Sequence, residues 1–246
     1  MIGRIDIHSH LLPGVDDGCE SLEDSIRCAR DLVAAGYTHS FCTPHIWPSF
    51  PHNNAAQIVA AVGQLQTSFD AAGVPLSLMP GGELSMRADT LHLLPAELVS
   101  YGMAGRYVLI DLWADRLPDF FDPAIKHLQR LRATVILAHP ERMRAVQEQP
   151  ELADYFAEIG VLLQGNLQCF GDRPGSSTRD TAERFLLEDR YFALGSDLHN
   201  PRTMPVRLAG LKRVREAIGE EQLARLTVHN PAKLIEPQPG HRSLSA

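Results

Sequence analysis

Residues 5–18 read IDIHSHLLPGVDDG, with two histidines and two adjacent aspartates crowded into one short piece of chain. Side chains two apart on a strand share a face, so His8 and His10 stand side by side at the end of a run that starts at Arg4. That is the geometry of a chelate, and it directs attention to the ends of the other extended runs.

Those runs are short, apolar and separated by helical patterns, which predicts βα units around a parallel sheet. Strands are expected at 4–10, 38–45, 75–84, 107–113, 134–140, 160–166 and 191–199. Between the first two, Ser21 and Asp24 form a weak capping box and Gly36 ends the helix, with Leu22, Ile26, Ala29, Leu32 and Val33 on one face. Further helices are expected over 54–73, 123–133 and 178–189, and over 206–230 with a stop near Pro231. A chain of 246 residues suits one large domain. The expected fold is therefore α/β, a distorted seven-stranded (βα)7 TIM-like barrel in a single domain.

Composition narrows the function. A formal net charge of −7 argues against a nucleic-acid partner held by phosphate neutralisation. Cys19, Cys28, Cys42 and Cys169 form no C-x-x-C pair and are too few for a disulfide framework, which points to a reducing cytoplasm. No run approaches the ~20 apolar residues of a membrane span, so a soluble cytoplasmic protein is expected.

In parallel barrels the reactive residues gather at the carboxyl ends of the strands. Here those ends carry His8, His10, Asp16 and Asp17, then His45, Glu83, Asp111, His139, and finally Asp197 and His199. Strand six carries only the amides Gln164 and Asn166, read as lining groups. Taken singly, each strand-end histidine or aspartate reads better as a structural or turn residue. Their coincidence at six of seven strand ends reads as a multinuclear metal centre built from imidazole and carboxylate donors, which suits Zn, Mn or Fe.

The segments IDIHSHLLPGVDDG, TPH (43–45), GGE (81–83), AHPER (138–142), GNLQCFG (165–171) and SDLHN (196–200) resemble the polymerase-and-histidinol-phosphatase (PHP) superfamily. Within it they are most similar to the bacterial protein-tyrosine phosphatases of capsule and exopolysaccharide synthesis, in order from Ile5 to about residue 230. The resemblance implies a phosphatase domain over 1–235, a short tail at 236–246, and up to three divalent ions, Mn before Fe, Zn or Mg. His8, His10, Glu83 and Asp197 would bind the first; Glu83, Asp111 and His139 the second; Asp17, His45 and His199 the third. Asp16 would orient a histidine, and Arg142 would pair phosphoryl oxygens. A second phosphate-binding arginine matches only approximately, at Arg202 or Arg207. On strand four the family usually has Glu where this chain has Asp111, shorter by one methylene, which places the second ion in question.

The implied reaction is hydrolysis of phosphotyrosine in a protein by a metal-bound hydroxide. The implied partner is a cytoplasmic tyrosine kinase of polysaccharide assembly. Aromatics in 46–54 and 112–121 either pack those loops or meet a ring-bearing substrate. Two other readings are a small-molecule phosphatase such as histidinol phosphatase, and a metal-stabilised phosphotyrosine-binding module without turnover.

Overall fold

A computed structural model describes residues 3–235; the expected tail at 236–246 lies outside the described residues. All seven expected extended runs contain strand, but two of them break in the middle. The strands are β1 Arg4–Asp6, β2 Tyr37–Cys42, β3 His45–Ile46, β4 Ser77–Pro80, β5 Glu83–Ser85, β6 Tyr107–Asp111, β7 Thr134–Ala138, β8 Leu162–Asn166 and β9 Tyr191–Gly195. Pro44 separates β2 from β3, and Gly81–Gly82 separates β4 from β5. Proline cannot donate to a ladder, and a Cβ at Gly82 would come within 2.6 Å of Val99 Cγ1.

The expected distorted seven-stranded barrel is not one continuous ladder among the described residues. The strands form a three-stranded sheet, β1-β2-β4, and a six-stranded sheet, β3-β5-β6-β7-β8-β9, with every pairing parallel. Single backbone bonds cross the breaks, including Gly81 N to Cys42 O (2.9 Å) and Glu83 N to Pro44 O (3.0 Å). Between β1 and β9 a side chain replaces the ladder. The buried Asp6 carboxylate accepts from Ser196 N at 2.8 Å and from the Ser196 hydroxyl. Beyond it, Asp197 N donates to His8 O (2.7 Å) and His10 N to Leu198 O (2.9 Å).

The helices are α1 Leu22–Ala34, α2 Ala55–Ala71, α3 Phe121–Arg130, α4 Arg144–Glu148, α5 Leu152–Glu158, α6 Leu167–Gly171, α7 Ser177–Leu187, α8 Met204–Ala224 and α9 Asn230–Ile235. The Ser21 cap forms, its hydroxyl accepting from Asp24 N at 3.2 Å. The buried face of α1 is Ser25, Cys28, Ala29 and Leu32, with Leu22 exposed, because the Ser25 hydroxyl donates to Leu11 O at 2.7 Å and turns that face inward. Helical structure also runs past the expected stop. Pro231 lies in the first turn of α9, directly after a π-helical turn at Arg225–His229 that joins α9 to α8.

Leu32, Phe69, Leu128, Phe156 and Phe185 pack between helices and sheets. A second cluster joins Ile5, Ile7, Phe41, Leu109 and Ile136 to Leu234 of α9. Helix α6, which starts right after the strand-end Asn166, lies backbone to backbone against α8. A Cβ on Gly210 would stand 1.9 Å from Leu167 O, and one on Gly171 would stand 2.2 Å from Val206 O. Gly210→Ala is therefore expected to cost about 1–3 kcal/mol through overpacking. Thermal unfolding followed by circular dichroism should show a melting temperature lower by several degrees; an unchanged midpoint would contradict this packing.

Candidate metal centre

Breaking the strands has a direct effect on the site. His45 and Glu83 open β3 and β5 and pair in register, so the two kinks bring an imidazole and a carboxylate together. His139 and Asp197 follow β7 and β9 in left-handed backbone conformations, with φ of 34° and 50°. Such conformations cost about 1–3 kcal/mol for residues other than glycine and concentrate at functional sites.

The donor atoms converge. His8 Nε2 lies 3.3 Å from His10 Nε2, 3.4 Å from Asp197 Oδ1 and 3.4 Å from Glu83 Oε1. His10 Nε2 lies 3.3 Å from Asp197 Oδ1 and 3.5 Å from Glu83 Oε2. Donors arranged tetrahedrally at about 2.1 Å from one ion stand about 3.4 Å apart. His8, Glu83 and His139 make a second group, with His139 Nε2 at 3.1 Å from Glu83 Oε1. A third group comprises His10, Asp17, His45 and His199, where Asp17 Oδ1 stands 3.2 Å from His45 Nε2 and 3.6 Å from His199 Nε2.

The residues expected for the first ion thus stand together, as do those for the third. The set expected for the second does not assemble in full. Asp111 belongs to none of the three groups; its Oδ1 is 3.9 Å from His139 Nδ1, the ring nitrogen opposite the one that faces Glu83. An aspartate is one methylene shorter than a glutamate, so its carboxylate reaches less far from the end of β6.

The residues present fit divalent ions. Among the described residues, Glu83 Oε2, His45 Nδ1 and Asp111 Oδ1 are buried without a hydrogen-bond partner. The first two approach to 2.7 Å without hydrogen-bond geometry, leaving buried polar atoms that a bound cation would satisfy. The remaining ring nitrogens are held from outside. His8 Nδ1 meets Gln164 Oε1 at 2.8 Å, His10 Nδ1 meets Asp16 Oδ2 at 2.7 Å, and His199 Nδ1 meets Asp197 O at 2.9 Å. Protons on those nitrogens leave each Nε2 lone pair free for the cluster.

Charge explains the titration. Burial alone would push the His10 imidazole down, but Asp16, Asp197 and Glu83 outweigh it and hold it well above the usual range. His45 is likewise depressed by burial and raised more by Asp17 and Glu83, to about 9. Burial would raise Asp16, Glu83 and Asp197, yet the imidazoles around them keep all three below the ordinary carboxylate value. Asp111 is pushed up to about 6 by burial, with the Glu83 charge adding to it.

A cavity of about 340 Å³ opens over the cluster, while a larger one of about 450 Å³ between α1 and α8 holds none of these donors. Arg142 lines the site and donates to Asp197 Oδ2 at 2.8 Å, beside the Asn166 amide at 2.7 Å from the same oxygen. Arg202 is exposed on the 3-10 turn Pro201–Thr203 and does not line the cavity, because that turn points it outward. Arg207 lines it instead, buried and donating to Ser196 O (2.8 Å), Thr203 O (3.0 Å) and Asp197 O. Sequence reasoning missed Asp6 and Glu141. Buried Glu141 accepts from Asn166 N (2.7 Å) and from the Tyr191 hydroxyl (3.0 Å). The available signals were a charge inside the apolar run IDI and a carboxylate between a donor and an arginine in HPER.

Comparison with known proteins agrees with this arrangement. Tyrosine-protein phosphatase YwqE of Bacillus subtilis is 30% identical over 200 residues, 81% of this chain and 78% of its own. Tyrosine-protein phosphatase CpsB of Streptococcus agalactiae is 24% identical over 239 residues, 94% of this chain and 98% of its own. A crystal structure from the pair YwqE of Bacillus subtilis and CpsB of Streptococcus pneumoniae, described as metal-dependent tyrosine phosphatases, superposes with a TM-score of 0.85. It shows 27% identity over 94% of each chain. The family model for capsular polysaccharide synthesis, CpsB/CapC, matches residues 4–236, nearly all of the described chain, and the chain belongs to that family.

Proposed function

We propose that this protein is a metal-dependent phosphatase that hydrolyses phosphotyrosine in a protein of capsular or exopolysaccharide synthesis. The observation that supports it most is the convergence of imidazole nitrogens and carboxylate oxygens from five of the seven expected strand ends beside one cavity, with a guanidinium next to them. Family membership and the names of the relatives support the same reading.

His8, His10, Glu83 and Asp197 would hold one ion, Asp17, His45 and His199 another, and Glu83 with His139 a third, Mn being the first choice. Such ions lower the pKa of water to give a nucleophile near neutral pH and neutralise phosphoryl oxygens. The chain's own groups do the rest. Gln164 and Asp16 orient His8 and His10, while Asn166 and Arg142 hold Asp197. The other guanidinium N–H groups of Arg142 meet phosphoryl oxygens, and Arg207 braces the backbone of Asp197 from behind. A phenol leaves with a conjugate-acid pKa of about 10, so it needs less proton assistance than an alkyl alcohol. A tyrosine kinase of polysaccharide assembly is the proposed source of the phosphoprotein. No helix of the described residues is long and apolar enough to cross a membrane.

Three measurements test this reading. Chelator-stripped protein should release no phosphate from a phosphotyrosyl peptide and regain turnover with Mn(II), leaving histidinol phosphate intact; turnover of histidinol phosphate alone would reject it. Asp111→Glu should tighten the weakest Mn(II) step in a calorimetric titration, whereas unchanged affinity would show that the shorter carboxylate suffices. The third concerns pH. With His45 raised from 6.5 to about 9, the folded metal-free protein binds more protons than the unfolded chain between those values. The stabilisation contributed by His45 is therefore fully present below pH 6.5 and lost as pH rises through 9. The melting temperature of stripped protein should fall across that window, and Mn(II) should remove the fall by replacing the proton; a flat or rising profile would count against it.

A further inference from the structure

We infer that Trp113 gives this site its preference for an aryl over an alkyl phosphate by stacking on the ring of the bound ester. The inference rests on the phosphatase reading above. The cavity lining has two unlike parts: hydrogen-bonding groups from Arg142, Gln168 and Asn200, and the indoles of Trp47 and Trp113. An aryl phosphate divides in the same way, into an oxygen-rich head and a flat apolar body.

The two indoles are not equivalent. Trp47 lies on the His45 ring, with centroids 3.8 Å apart and planes at 27°, and its Nε1 is buried, so its ring is already packed into the wall. Trp113 is 63% exposed, with its centroid 6.0 Å from that of His139. It follows Asp111, the last residue of β6, by two positions, and both residues line the cavity. Leu112 between them is buried in the core and anchors the backbone there.

A phosphoryl group that reaches Arg142 and the donors around Glu83 carries its ester substituent outward, past the rim where Trp113 stands. A phenyl ring presents a face that an indole can cover; a seryl or glyceryl chain presents little area. Stacking of this kind is worth about tenfold in affinity. Leaving-group chemistry also favours aryl esters, but that effect acts on bond breaking and not on binding.

The test separates the two. With Mn(II)-loaded protein, calorimetry measures binding of a peptide carrying the non-hydrolysable difluorophosphonate analogue of phosphotyrosine, and of orthophosphate. Trp113→Ala should weaken the peptide about tenfold while orthophosphate stays within about twofold, and Trp113→Phe should recover most of the loss. The ratio of kcat/KM for phenyl phosphate to that for glycerol phosphate should drop in parallel. Equal losses for both ligands, or none, would overturn the inference. If wild-type protein binds the analogue but hydrolyses no aryl phosphate, the phosphatase reading fails while the binding comparison still decides the role of Trp113.

Discussion

The buried carboxylate of Asp6 ties the first strand of the chain to the last. It takes the Ser196 amide at 2.8 Å and the Ser196 hydroxyl, where a regular ladder would otherwise run. Once that seam is set, backbone bonds from Asp197 to His8 and from His10 to Leu198 follow, and two motifs nearly 190 residues apart in sequence face each other. The donors His8, His10, Asp197 and His199 flank this junction. Burial pushes Asp6 up to about 6, and three donors offset only part of that desolvation, the third being His8 N at 3.3 Å.

Asp197 is where the remaining constraints meet. One oxygen faces the imidazoles of His8 and His10; the other accepts from Arg142 and Asn166. Its carbonyl takes the His199 ring and the Arg207 guanidinium. A residue so thoroughly bonded is kept in a left-handed conformation that a free aspartate would leave. On the opposite side, the breaks at Pro44 and Gly81–Gly82 turn His45 and Glu83 toward the same space. Irregularity of the sheet and convergence of the donors are one feature seen twice.

Much of this was legible in the chain. Histidines two apart after an apolar strand, and a carboxylate or imidazole at nearly every later strand end, are local patterns with a fixed side-chain period. The helix cap at Ser21 was also local, since the groups that bond lie three residues apart. Ladder continuity was not legible: alternation of strands and helices gives neighbour order, and the strands of the expected distorted barrel divide into sheets of three and six. Asp6 and Glu141 were illegible for a similar reason: their partners, Ser196 and Asn166, are distant in sequence.

By itself, then, the sequence determined which residues hold donor atoms, that strands and helices alternate, and which family pattern the chain follows. Side-chain chemistry and short-range periodicity need no third dimension. Only the tertiary structure decided that Asp111 stops short of the groups around Glu83, that Arg207 rather than Arg202 lines the cavity, and that Trp113 stands uncovered beside His139. Those outcomes depend on angstrom-scale differences in reach and on the direction of a turn, which are set by packing between segments far apart in the chain.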